Sequence, residues 1–274
     1  MSILLVAAYL MPVVLYGNAW RLAVRGAAES APRVGSGWQL AGLFAHLGSL
    51  CFAFFPNGVP HIGFAPVLSA AVWVGIGLLW FEGLRVHMRP LQVLILPVAM
   101  LAVLLPWAFP GGNMADHGGG PMFVPHVLVG TLAYAVLLVA AAHAGLMASA
   151  ERALHGGAGA GTPVLERFLD ELPPLLVLER LLFRLIAIGC ALLTLTLLSG
   201  FVFSEEIFGR AFRFEHKTLL ALVAWAVFAA LLLGRWLRGW RGRIALRMTF
   251  VGFGILLLAY VGTRFVLEVV LDRY

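Results

Sequence analysis

Apolar residues along this chain fall in long runs, with the polar positions gathered into short stretches between them. A helix rising about 1.5 Å per residue needs roughly 20 apolar residues to cross a bilayer's hydrocarbon core. Runs of that kind predict spans at roughly 2–20, 38–55, 65–83, 91–109, 126–149, 182–203, 216–234 and 248–269. Little chain is left over. The pattern predicts an all-α fold: a polytopic integral membrane bundle of about eight transmembrane helices, forming a single transmembrane domain over 1–274. No internal repeat is evident. Pro97 and Pro106 fall inside the fourth run and are expected to kink it.

The longest connection, 150–181, opens with a Gly-Ala stretch from His155 to Thr162. After it, Val164 to Leu172 is apolar at helical spacing and stops at Pro173-Pro174. A short amphipathic helix on the membrane surface and a partner-docking helix both fit that pattern.

Composition sharpens the class. Hydrophobic residues make up 62% of the chain and charged residues 12%, with a mean hydropathy of +0.96; a soluble domain carries about a quarter charged residues. The net charge of +6 does not point to nucleic acid, because the basic residues sit in the turns and form neither a stripe nor a tail. They sort by side. Arg21, Arg25 and Arg33, then Arg85 and Arg89, then Arg152, Arg167, Arg180 and Arg184, then Arg235, Arg238, Arg241, Arg243 and Arg247 all fall on one side. Arg210, Arg213, Lys217, Arg264 and Arg273 fall on the other. The positive-inside rule makes the first set cytoplasmic and places both termini outside. The first run has no basic residue before it and Arg21 after it, which predicts an uncleaved helix and not a signal peptide. Cys51 and Cys190 form no CxxC and read as small buried apolar residues.

No HExxH, Walker loop, GxSxG or mid-span carboxylate pair is present, so candidate chemistry rests on the eight histidines. His87 and His155 fall in cytoplasmic turns and His61 and His117 in external ones, where solvated side chains are expected. His143 follows His126 by 17 residues, about 25 Å along a helix, and reads as a packing histidine near the inner face. His126 and His216 each open a span at the external face. Imidazole is a good axial ligand for haem iron, and two at one depth on different helices could clamp a macrocycle; helix-end histidines with no ligand role fit as well. His46 lies mid-span, which marks either a functional site or a neutral imidazole bonded to a neighbouring helix. The external segment Ser204 to Lys217 interleaves Arg210, Arg213 and Lys217 with Phe208, Phe212 and Phe214. Aromatic rings can cover a porphyrin and guanidinium groups can hold its propionates, while Glu205, Glu206 and Glu215 equally allow a self-paired loop. Arg264 and Glu268 are spaced to pair with each other.

Three stretches are familiar: Phe214-Glu215-His216-Lys217-Thr218, Ala224-Trp225-Ala226-Val227-Phe228-Ala229, and Arg235 with Gly239-Trp240-Arg241-Gly242. They resemble the cytochrome c assembly membrane family, which includes the CcsA, ResC, HemX and YpjD proteins. His126 with Leu132-Ala133-Tyr134-Ala135 is similar to the family's external histidine and its helix. Leu172 to Leu176, Leu181 to Leu185 and Ser199-Gly200 are most similar to the YpjD branch. The resemblance is strongest over 126–274; upstream it lies mainly in layout, with His46 where a transmembrane histidine is expected. It implies a multi-pass protein of the bacterial inner membrane that handles haem at the external face during cytochrome c biogenesis, with other maturation proteins as partners. His126 and His216 are then the candidate iron ligands, His46 a deeper site, and Arg210, Arg213, Phe214, Lys217 and Arg264 candidate porphyrin contacts. The chain departs from the family's WWD pattern. Phe214 and Glu215 replace Trp and Asp, His216 replaces Pro, and no histidine follows Leu267. These departures argue against full haem-lyase activity, and nothing points to catalysis without a partner. Two readings from other classes remain: a transporter or accessory subunit carrying a solute past His46, and a scaffold docking a partner through 164–172.

Overall fold

The structure is a computed structural model that describes residues 3–25, 32–59, 61–83, 89–113, 122–156, 174–204 and 216–262. Among the described residues are eight helices long and apolar enough to cross a membrane: α1 (Ile3–Arg25), α2 (Pro32–Phe54), α3 (Phe64–Gly83), α4 (Arg89–Ala108), α5 (Phe123–Gly156), α6 (Leu175–Val202), α7 (His216–Arg238) and α8 (Arg243–Leu257). The last continues as a π-helical turn, Leu258–Gly262. The polytopic all-α expectation holds.

Helix ends differ from expectation where charged residues extend a helix past its apolar run. α5 reaches Gly156, so the Gly-Ala stretch begins two residues inside a helix, and α6 starts at Leu175 instead of 182. Ion pairs stabilise both extensions. Glu151 on α5 meets Arg243 on α8 at 3.0 Å, and Glu179 on α6 binds Arg235 on α7. Pro97 and Pro106 lie inside α4, which runs unbroken from Arg89 to Ala108. The 164–172 segment, and the Arg264–Glu268 pair, lie outside the described residues.

The helices pack as two rings of four. In the first, α1 packs on α2 and α4, and α3 closes the ring between them. In the second, α5 packs on α6 and α8, and α7 closes it. α3 joins the rings by packing on α5. The two run in the same direction there: Gly75 lies against Val139, and seven residues further on Glu82 faces His143. Tryptophan indoles tie helices together, with Trp20 donating to the Val93 carbonyl at 3.1 Å, Trp73 to the Leu43 carbonyl at 2.8 Å and Trp225 to the Thr194 hydroxyl at 2.8 Å. Lipid supplies no hydrophobic drive between helices, so close packing and such bonds hold the bundle. Glycine permits the closest approaches: a Cβ on Gly189 would stand 2.6 Å from Leu137 of α5, and one on Gly42 2.6 Å from the Tyr16 ring.

Two short strands, β1 (His61–Ile62) and β2 (Gly112–Asn113), pair antiparallel and clasp the α2–α3 connection to the α4–α5 connection. Gly111 (φ +78°) sits against the Ile62 carbonyl, where any side chain would collide. The clasp lies at the end of the bundle that carries His126. Ile62, Val67 and Phe123 form a small apolar cluster there, with Phe54, Val127, Phe203 and Tyr260 packed on it.

Candidate functional site

His126 stands one turn into α5, half-buried in the seam with α6. The residues behind it on that face, Gly130, Ala133 and Leu137, pack α5 against α6, with Gly130 beside Thr196 and Leu137 beside Gly189. At the top of the seam, a Cβ on Gly200 would come within 3.2 Å of the His126 ring, so a side chain there would crowd the imidazole.

The hydrogen bonds at His126 favour one tautomer. Its Nδ1 lies 2.9 Å from Ser199 Oγ, and that hydroxyl donates its single proton to the Thr196 carbonyl at 3.0 Å. With that proton directed at the carbonyl, Ser199 Oγ accepts from the ring and Nδ1 carries the hydrogen. In the neutral ring, Nε2 is then the nitrogen with the lone pair. A partner on the far nitrogen is the usual device for orienting a metal-ligating histidine.

α7 brings a positive charge to the same place: Lys217, in its first turn, is near enough for its charge to act on His126. Lys217 heads the inward stripe of α7, continued by Ala221, Ala224, Phe228 and Leu231, of which the last three are buried. His216, one residue earlier, heads the opposite stripe of Leu219, Val223, Ala226 and Leu233, all exposed. The two predicted ligand histidines thus start the right helices but face differently, His126 into a seam and His216 outward. Arg210, Arg213, Phe214 and Arg264 lie outside the described residues.

Sequence reasoning missed the polar groups around this site. Ser199-Gly200 carries part of the family resemblance, and only the packing of α6 on α5 makes it the pair that borders His126. Below it, the Tyr134 hydroxyl donates to the Leu256 carbonyl, and its ring meets Tyr260 edge-on at 5.8 Å. Both partners lie at or next to the π-helical turn of α8, a local rearrangement common near functional sites.

His46 is fully buried and held from both sides. Its Nδ1 is 3.2 Å from the Tyr16 hydroxyl on α1, and its Nε2 is 2.9 Å from Ser69 Oγ on α3. Those contacts tie it to both neighbouring helices. An apolar groove of about 220 Å³ runs beside it, between α2, α3 and α5, lined by Leu50, Phe54, Trp73, Thr131 and Leu132 among others. Thr131 and Leu132 lie on the face of α5 opposite His126, so the groove does not open onto that ring. Cys51 lines it and is exposed, which corrects the expectation that both cysteines are buried; Cys190 alone is.

Eight apolar helices in two rings, with a histidine oriented in a seam at one end and ion pairs at the other, define a multi-pass membrane protein with a candidate ligand site near one surface. The chain belongs to the cytochrome c assembly protein family, whose pattern matches residues 39–271. It is 32% identical to the inner membrane protein YpjD of Escherichia coli over 181 residues, 65% of each chain. It is 37% identical to the cytochrome c biogenesis protein CcsA of Synechococcus elongatus over 114 residues, 40% of this chain and 35% of that one. An uncharacterized 28.8 kDa protein of Azospirillum brasilense is 33% identical over 213 residues, 74% of this chain and 76% of its own. The match therefore spans just under two thirds of the YpjD protein's length and about a third of the CcsA protein's. No solved structure matches. The Gly239-Trp240-Arg241-Gly242 motif now has a physical explanation: both glycines take positive φ in the α7–α8 turn, and the Trp240 ring fills the space left by Gly234.

Proposed function

We propose that this protein handles haem in cytochrome c biogenesis, in the bacterial inner membrane, with His126 as an axial ligand at the external face. The observation that carries the reading is the Ser199–His126 hydrogen bond, which holds the ring on α6 and favours the tautomer with its lone pair on Nε2. The donor set fits the group. A neutral imidazole is a preferred haem ligand, and Lys217 supplies a cation for a propionate. Haem, when bound, supplies a redox-active iron that takes such a nitrogen. The chain's own residues do the rest: Ser199 keeps the tautomer, Gly200 leaves space for the ring, and Lys217 holds negative charge near it. His216 is the second ligand candidate and would approach from the outward stripe of α7. Arg210, Arg213, Phe214 and Arg264 remain candidates for the porphyrin edge, and His46 for a deeper site. Family membership supports the reading, as does the name of the CcsA relative.

The test is an absorption spectrum of purified protein from haem-supplied cells, oxidised and dithionite-reduced. A Soret band that shifts on reduction and collapses in His126→Ala is expected. Either a protein without that band, or a band unchanged in the His126→Ala/His216→Ala double variant, overturns the assignment.

A further inference from the structure

At the other end of the bundle, Glu82 on the last turn of α3 faces His143 of α5 across the junction of the two rings. Glu82 Oε2 and His143 Nε2 are 3.8 Å apart. Both atoms are shut off from solvent and neither has a hydrogen-bond partner. The imidazole is wholly buried, and the carboxylate side chain is 24% exposed. His143 Nδ1 lies 3.0 Å from the Val139 carbonyl. A carbonyl only accepts, so Nδ1 carries a hydrogen whatever the charge of the ring.

Everything then turns on Nε2. With a neutral ring and an ionised Glu82, two acceptors face each other with no donor between them, and both buried atoms go unsatisfied. One proton removes the conflict. On Nε2 it makes an imidazolium facing a carboxylate; on Oε2 it makes a carboxylic acid facing the imidazole lone pair. The two forms contain the same atoms and differ only in where the proton sits. Among the described residues of the other elements, Arg184 on α6 acts on Glu82, α4 places Gln92 beside Gly83, and α8 turns Phe250 toward Gly145.

We propose that Glu82 and His143 form a single-proton binding site, filled at neutral pH, whose proton holds α3 against α5 and so joins the two helix rings. In the unfolded chain, a glutamate and a histidine together hold one proton at about pH 5–6 and lose it through about pH 6.5. The folded protein keeps it. Above about pH 6.5 the folded state therefore binds more protons than the unfolded state, and the site's contribution to stability declines as pH rises, by up to tenfold in the folding constant per pH unit. From about pH 5 to 6.5 it is fully present.

The experiment uses the full chain in lipid nanodiscs, with thermal unfolding followed by tryptophan fluorescence from pH 5 to 9. Glu82→Gln presents an amide N–H to Nε2 and needs no proton, so its profile above pH 6.5 should be flatter than that of wild type by up to tenfold per unit. His143→Gln, which offers an N–H donor to Glu82, should flatten the profile in the same way and carries the comparison if Glu82→Gln does not fold. Infrared difference spectra at pH 7 should show either a carboxylic acid or an imidazolium signal that both variants lose. An ionised Glu82 beside a neutral His143 at pH 7, or a wild-type pH slope retained in the variants, overturns the site.

Discussion

Replacing Ser199 by alanine removes the acceptor that keeps the hydrogen of His126 on Nδ1. The ring nitrogen lies 2.9 Å from Oγ, and the hydroxyl's own proton is committed to the Thr196 carbonyl at 3.0 Å. A single neutral hydrogen bond of this kind contributes about 0.5–1.5 kcal/mol, which biases the tautomers by roughly 2- to 13-fold. Loss of ring orientation adds to that. Removing the outer partner of a metal-bound histidine typically weakens binding by about 10–100-fold, and that range is the expected loss of haem affinity in Ser199→Ala. The assay is a haem titration of the apo-protein followed at the Soret band, with the melting temperature of the apo-protein measured in parallel. Ser199→Thr keeps a hydroxyl and should bind within a few-fold of wild type. An alanine variant that binds haem as tightly as wild type would refute the argument that Ser199 prepares Nε2 for iron, even if His126 itself proved to be a ligand.

Other substitutions test the packing. Gly189→Ala puts a Cβ 2.6 Å from Leu137 at the α5–α6 seam, and overpacking there should cost about 1–3 kcal/mol in thermal or denaturant unfolding; an unchanged midpoint would show that the seam gives way freely. Tyr16→Phe and Ser69→Ala each leave one nitrogen of buried His46 unpartnered, for a loss of about 1–3 kcal/mol apiece. Their double variant should fall short of the sum, because both act through one ring; strict additivity would count against a shared network. Glu179→Ala strips the carboxylate from Arg235, whose guanidinium also lies 4.4 Å over the Phe183 ring. Losing that charge-assisted bond should cost about 1.5–3 kcal/mol. Arg235→Ala in the same background should recover part of the loss, since no unpaired cation then remains.

How far the sequence could be read depended on the range of the physics involved. The spans were legible because bilayer thickness imposes a length and a composition on each one separately. Their ends were less so: α5 and α6 run past their apolar runs because Glu151 and Glu179 find arginines on α8 and α7, nearly 60 residues or more away. His126 was legible as a helix-opening histidine, and a family resemblance gave it a meaning. Its orientation was not, because that depends on Ser199, 73 residues later on another helix.

By itself, then, the sequence determined that this is an eight-helix membrane protein of the cytochrome c assembly family and which histidines begin its spans. Tertiary structure alone decided that His126 faces a seam while His216 faces outward, that Tyr16 and Ser69 hold His46, and that Glu82 meets His143 across the junction of the two rings. The division has a physical cause. Hydrophobicity and helical periodicity act within a few turns of one helix, whereas a side chain's hydrogen-bond partner, and with it the chemistry of a nitrogen atom, is chosen by whichever helix packs alongside.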